Sequence, residues 1–118
     1  MTRRDLQGEM KKMGRPWEIG KAFERSAPMG PLLSAAETGH LDKGSISLFV
    51  NGNIHQNGDL NQMIWKVPEQ IAYLSSFYDI AAGDLIMSGT PAGVGPIHKG
   101  DIMECRVEGL EPLMVTVV

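Results

Sequence analysis

Apolar and polar residues alternate most legibly from residue 45 onward. Ser45-Ile46-Ser47-Leu48-Phe49-Val50 reads as a strand, Asn51-Gly52 is a strong hairpin signal, and Asn53-Ile54-His55-Gln56 returns as the second strand. Asn57-Gly58-Asp59 is expected to end the hairpin and open a polar loop through Gln62. Over residues 67–77 apolar side chains recur every three to four positions, and Pro68 stands near the start, so an amphipathic helix is predicted. Ala82-Gly83-Asp84 reads as a turn before a strand Leu85-Ile86-Met87. Lys99-Gly100-Asp101 reads as a second such turn, before a strand in which Met103, Cys105 and Val107 alternate with Glu104 and Arg106. A last β-branched strand covers residues 113–118.

The leading part is less regular. Residues 1–14 are polar and partly helical until Gly14 and Pro16 stop the pattern. Residues 17–23 fit either a short extended segment or a turn of helix. Pro28 and Pro31 make residues 26–31 a rigid, irregular connection. The expected fold is mainly β with one or two short helices.

A chain of 118 residues buries enough surface for one core, but not for two lobes with a closed cleft between them. Its composition is 42% hydrophobic and 21% charged, ordinary for a globular protein, and its formal net charge is −3. The acidic balance, and the interruption of Arg3, Arg4, Lys11, Lys12 and Arg15 by Asp5 and Glu9, argue against a nucleic-acid partner. Cys105 is the single cysteine, so no disulfide forms within the chain, which fits a reducing compartment. No apolar run reaches 18 residues and no hydrophobic leader opens the chain, so a cytoplasmic protein without a membrane partner is expected.

Two places stand out for chemistry. Lys21 lies between Gly20 and Ala22, flanked by Ile19 and Phe23. A lysine in apolar surroundings loses solvation of its charged form and suits proton transfer or oxyanion stabilisation; the alternative is a lysine on the surface of a half-buried segment. The loop Ser88-Gly89-Thr90-Pro91-Ala92-Gly93-Val94-Gly95-Pro96 offers the Thr90 hydroxyl and neighbouring amides to an anion or carbonyl oxygen, or serves only as a crossover shaped by its glycines. It has neither the Gly-Lys-Ser/Thr of a phosphate loop nor the glycine spacing of a dinucleotide fold. His40, His55 and His98 lack metal-motif spacing. Asp84 and Asp101 read as turn formers, Asp5 and Asp59 lack carboxylate partners, and Cys105 reads as a buried structural thiol.

Several ordered blocks together resemble the fumarylacetoacetate hydrolase superfamily, most nearly its fumarylpyruvate hydrolase and acylpyruvase branch. They are Met1-Thr2-Arg3-Arg4-Asp5-Leu6-Gln7, Gly14-Arg15-Pro16-Trp17, Gly20-Lys21-Ala22-Phe23 and Ser26-Ala27-Pro28-Met29-Gly30-Pro31. Val50-Asn51-Gly52, Met63-Ile64, Gly83-Asp84-Leu85-Ile86, the glycine-rich loop and Gly100-Asp101 complete them. The resemblance implies a mixed β-sandwich roll, residues 1–118 forming part of a catalytic domain that is usually dimeric and binds Mg2+ or Mn2+. It implies hydrolysis of a carbon–carbon bond in an acylpyruvate, a small keto acid, to pyruvate and a carboxylic acid. Lys21 matches the family's active-site lysine. Thr90, beside Gly89, matches the loop threonine that contacts the substrate carboxylate or carbonyl, and Arg4 and Gln7 match residues that face the substrate.

In the family pattern the metal is held by two glutamates of an earlier segment and by an aspartate just before the Met-Thr of this motif. The sequence opens at that methionine, so the resemblance implies that the family's ligands lie before Met1. The chain is then expected to be an N-terminally truncated form that does not hold the ion in the family's way. Two other readings are a decarboxylase or isomerase of an oxo-dioic acid from aromatic catabolism, and a non-catalytic remnant. Exposed strand edges and apolar faces are expected in either case.

Overall fold

The computed structural model describes residues 1–118 and separates into two compact units, Met1–Pro31 and Leu32–Val118. In the first unit the polar opening forms helix α1, Arg4–Lys12, with Asp5 in its first turn and Lys11 and Lys12 in its last. Those charges complement the helix dipole at both ends. Gly14, at φ +63°, lets the chain leave the helix. The open choice over residues 17–23 resolves as a 3-10 turn, Glu18–Gly20. Residues 26–31 carry no helix or strand, as their prolines predict.

Short cross-links tie this unit together. The backbone N–H of Arg3 donates to the Gly20 carbonyl at 2.9 Å. The Arg3 guanidinium lies 4.4 Å from the centre of the Phe23 ring, and the Lys11 ammonium 4.8 Å from that of Trp17. Gln7 is buried, and Gly20 sits so close that a Cβ there would lie 2.7 Å from the Gln7 Cβ.

The second unit is built on an open, four-stranded antiparallel sheet in the order β2-β1-β3-β4. Its strands are β1 Ser45–Val50, β2 Asn53–Asp59, β3 Ile102–Val107 and β4 Leu113–Thr116. Asn51 and Gly52 take φ of +50° and +80°, the paired left-handed conformations of a type I′ hairpin turn. Val50 and Met103 face each other across β1 and β3 and are the two buried hydrophobic residues of the chain. On β3 the Arg106 guanidinium donates to Glu104 at 2.7 Å and lies 4.6 Å from the centre of the Phe49 ring.

The hairpin runs further than the sequence suggested. Asn57, Gly58 and Asp59 pair with Ser47, Ile46 and Ser45 and do not end the strand. Gly58 is there for close approach: a Cβ would lie 2.9 Å from Gln62 Oε1 and 3.2 Å from the Pro91 ring. Asp59 then caps a 3-10 turn, Leu60–Gln62, where a loop was expected; its Oδ1 accepts from the backbone N–H of Asn61 at 2.8 Å.

The amphipathic helix forms as α3, Val67–Leu74, with Pro68 in its first turn and the Glu69 carboxylate accepting from the Lys66 backbone N–H at 2.7 Å. Tyr73 packs edge-on against both Trp65 and Phe77. A one-turn helix, α2, Ala35–Thr38, was not anticipated, although Ser34 and Glu37 have the capping-box spacing that announces it.

The predicted strand Leu85-Ile86-Met87 is not one. The turn before it forms, with the Asp84 carboxylate accepting from Ala81 N–H at 2.8 Å, but no neighbouring strand pairs with the segment. A strand needs a ladder partner as well as an apolar sequence. No helix is long and apolar enough to cross a membrane.

Candidate functional site

In the second unit the glycine-rich loop is fastened to β2. The register of β2 on β1 passes from Gln56 opposite Leu48 to Ile54 opposite Phe49, so His55 is an extra residue in a β-bulge. Gln56 is buried, and its Nε2 donates to Thr90 Oγ1 at 2.9 Å and to the Pro91 carbonyl at 2.7 Å. Gly93, at φ +95°, presses its backbone against the His55 carbonyl, where any Cβ would overlap the oxygen. The structural reading of the loop's glycines is thus visible at Gly93, and the packed loop holds Thr90 against Gln56.

Gly89 and Thr90 line a pocket of about 480 Å³ together with Met63, Ile64 and Trp65 and the polar residues Asp59 and Gln70. A lining that mixes apolar side chains with a few polar groups suits a small molecule with one polar end and a less polar tail.

In the first unit Lys21 is exposed, and its Nζ donates to Thr2 Oγ1 at 2.8 Å. The desolvation inferred from its apolar sequence neighbours is therefore absent around it in this unit. The Arg4 guanidinium donates to Gln7 Oε1 at 3.0 Å, which orients both side chains. Thr2, as partner of Lys21, carried no sequence signal of its own; Gln56 carried none either, since a glutamine within a predicted strand reads as an outward-facing residue.

No three His, Cys, Asp or Glu side chains converge in the chain. Asp59, Asp84 and Asp101 are each engaged in local structure. Asp101 accepts from the His98 backbone N–H at 2.7 Å and from the Asn51 side chain at 2.8 Å. Those bonds, with lesser help from the nearby His98 and His55 rings, hold its carboxyl below the ordinary value. Asp59 serves as a cap and also accepts from Gly44 N–H at 3.2 Å. Hard divalent ions take six or more oxygens, and the residues present do not fit one. Cys105 is half-buried and its thiol is pushed up by burial, as a structural cysteine's would be.

The sequence profile described as fumarylacetoacetate (FAA) hydrolase C-terminal matches residues 1–118. The structure of fumarylpyruvate hydrolase from Pseudomonas aeruginosa, in complex with Mn2+ and pyruvate, superposes with a TM-score of 0.96 at 52% identity, covering 100% of this chain and 51% of that one. Oxaloacetate tautomerase YcgM of Escherichia coli is 46% identical over 110 residues, 92% of this chain and 50% of its own. Fumarylpyruvate hydrolase of a Ralstonia species is 41% identical over 117 residues, 99% of this chain and 60% of its own. The chain spans about half the length of the first of these curated relatives. With the whole sequence matched, and with an open antiparallel sheet and short helices in the arrangement of a solved relative, the chain belongs to the fumarylacetoacetate hydrolase family.

Proposed function

We propose that this chain grips the carboxylate end and the developing enolate of an acylpyruvate, in an enzyme that cleaves the keto acid to pyruvate and a carboxylic acid. The observation that carries the reading is the likeness of the whole chain to the Pseudomonas fumarylpyruvate hydrolase, whose structure holds pyruvate. Water adds to the distal carbonyl and the adjacent carbon–carbon bond breaks. Its electron pair passes into the pyruvate enolate, which a proton converts to pyruvate. Lys21 is assigned to the enolate oxygen, where a cation lowers the cost of the charge that develops. Arg4 and Gln7 are assigned to substrate binding, and Thr90 with Gly89 to the carboxylate or carbonyl end. Mg2+ or Mn2+ belongs to the reading as well, held by carboxylates other than those gathered here. The enzyme is cytoplasmic and a homodimer in this reading.

The test fuses the chain to the part of the Pseudomonas enzyme that it does not cover and follows fumarylpyruvate consumption with Mn2+ present. Turnover that falls about a hundredfold or more in Lys21→Met supports the assignment; unchanged turnover removes Lys21 from the chemistry. Turnover by the unfused chain would overturn the exclusion of the ion from its own residues. Sedimentation of the fused protein as a monomer would remove the dimer.

A second reading is favoured by the 46% identity to the Escherichia coli protein: interconversion of the keto and enol forms of oxaloacetate. The same enolate forms, but no carbon–carbon bond breaks. Enol-form absorbance of oxaloacetate, followed in the same fused protein without release of pyruvate, separates the two.

A further inference from the structure

We propose that Gln56 is a positioning residue that commits the Thr90 hydroxyl to donate its proton into the adjoining pocket, so that the site selects an anionic acceptor oxygen. The inference rests on the reading of Thr90 as a substrate contact. It begins with the orientation of the Gln56 amide. The Pro91 carbonyl, 2.7 Å away, can only accept, so the nitrogen of the amide must face it; the flipped amide would set two acceptors against each other. The second hydrogen of the same nitrogen then points to Thr90 Oγ1 at 2.9 Å. A third carbonyl, that of Ala92, stands at 3.5 Å, the limit of a hydrogen bond, and competes weakly.

A threonine hydroxyl has one proton and two lone pairs. With one lone pair occupied from behind by an amide that has no acceptor on that atom, Thr90 keeps its proton for the pocket side. Gln56 holds this relation because it is itself fixed: it is 9% exposed, and the bulge at His55 sets its side chain beneath the loop. Gly93 against the His55 carbonyl and Pro91 against Gly58 hold the loop at that height. A donor fixed in this way favours a carboxylate or enolate oxygen over a neutral hydroxyl, because hydrogen bonds to charged acceptors are the stronger ones.

The test measures pyruvate and oxalate binding by calorimetry in the fused protein described above, for Thr90→Val, Gln56→Met, Gln56→Glu and the Gln56→Met/Thr90→Val pair, with folding checked by circular dichroism. Thr90→Val and Gln56→Met each weaken binding about tenfold, and the pair no more than Thr90→Val alone, since Gln56 acts through the hydroxyl. In Gln56→Glu the carboxylate accepts the Thr90 proton and turns it away from the ligand. Binding is then lost at pH 8 and recovers relative to wild type as the pH falls and the new carboxyl is protonated. A merely structural Gln56 would lose melting temperature and binding together as the new carboxyl ionises against the Pro91 carbonyl, whereas the positioning role shows that pH profile in binding with the melting temperature held. Thr90→Val weakening binding while a folded Gln56→Met or Gln56→Glu leaves it intact overturns the inference and spares the reading of Thr90. Thr90→Val without effect, or no saturable binding by the folded protein, overturns the reading and the inference with it.

Discussion

Gly93 and His55 meet backbone to backbone: a Cβ on Gly93 would stand well inside van der Waals contact with the His55 carbonyl oxygen. This contact holds the glycine-rich loop against the bulge of β2, and it separates two reasons for glycine in one loop. Gly89 also has a positive φ, +110°, but has open space where a Cβ would go.

Gly89→Ala is therefore expected to cost only the left-handed strain, about 1–3 kcal/mol. Gly93→Ala adds a collision with backbone that cannot swing aside, and is expected to exceed it by at least about 1 kcal/mol. Urea unfolding midpoints of the two variants measure the difference. Equal losses would mean that the loop is free to lift from β2.

Asn51 joins the hairpin turn to the start of β3. Its Nδ2 donates to Asp101 and its Oδ1 accepts from the Ile102 backbone N–H at 2.9 Å. The hydrogen bonds from His98 and Asn51 depress the Asp101 carboxyl below its ordinary 3.8. A depressed folded-state value contributes stability that is complete above the unfolded value and is lost as the pH falls through the folded one. Acidification from pH 5 to pH 2 is thus expected to lower the melting temperature of the wild type more than that of Asp101→Asn. The variant starts lower at pH 5, having lost the charged acceptor. Parallel melting curves against pH would contradict the assignment.

The strands that formed are those whose apolar alternation comes with a neighbour. Ser45–Val50 pairs on both edges, whereas Leu85-Ile86-Met87 has an equally apolar sequence and no ladder in this chain. Local sequence states what a segment can become, and pairing decides what it is. Gly58 misled for a related reason: glycine marks turns and also close approaches, and only the Pro91 ring across from it tells which applies. Thr90 and Gly89 stood out because a hydroxyl set in a glycine-rich loop is conspicuous. Gln56 did not, because its significance lies wholly in two acceptors more than 30 positions away.

Gly20 is the counterpart of Gly93 in the first unit, though its φ is not in the left-handed region. The Gln7 Cβ and its backbone fill the space that a Cβ would need. Gly20→Ala is expected to displace Gln7 and with it the Arg4–Gln7 hydrogen bond, at a cost of about 1–3 kcal/mol. Thermal melting measures the loss, and a melting temperature within about a degree of wild type would show that the Gln7 side chain yields freely.

Lys21 offers the sharpest separation of structure from chemistry. It is exposed, and its one side-chain hydrogen bond in this unit goes to the Thr2 hydroxyl, a neutral acceptor at the surface. Such a bond contributes little to folding, so Lys21→Met is expected to change stability by no more than about 0.5 kcal/mol. Thr2→Ala is expected to be as mild. The two variants diverge in catalysis of the fused protein. Lys21→Met removes the cation assigned to the enolate, while Thr2→Ala only frees the ammonium to move. The first is expected to lower kcat about a hundredfold or more, and the second about tenfold or less, a gap of at least about 1.4 kcal/mol in the barrier. If the two variants fall together, the role of Lys21 is to hold the segment around Thr2, and the enolate must be met by another group.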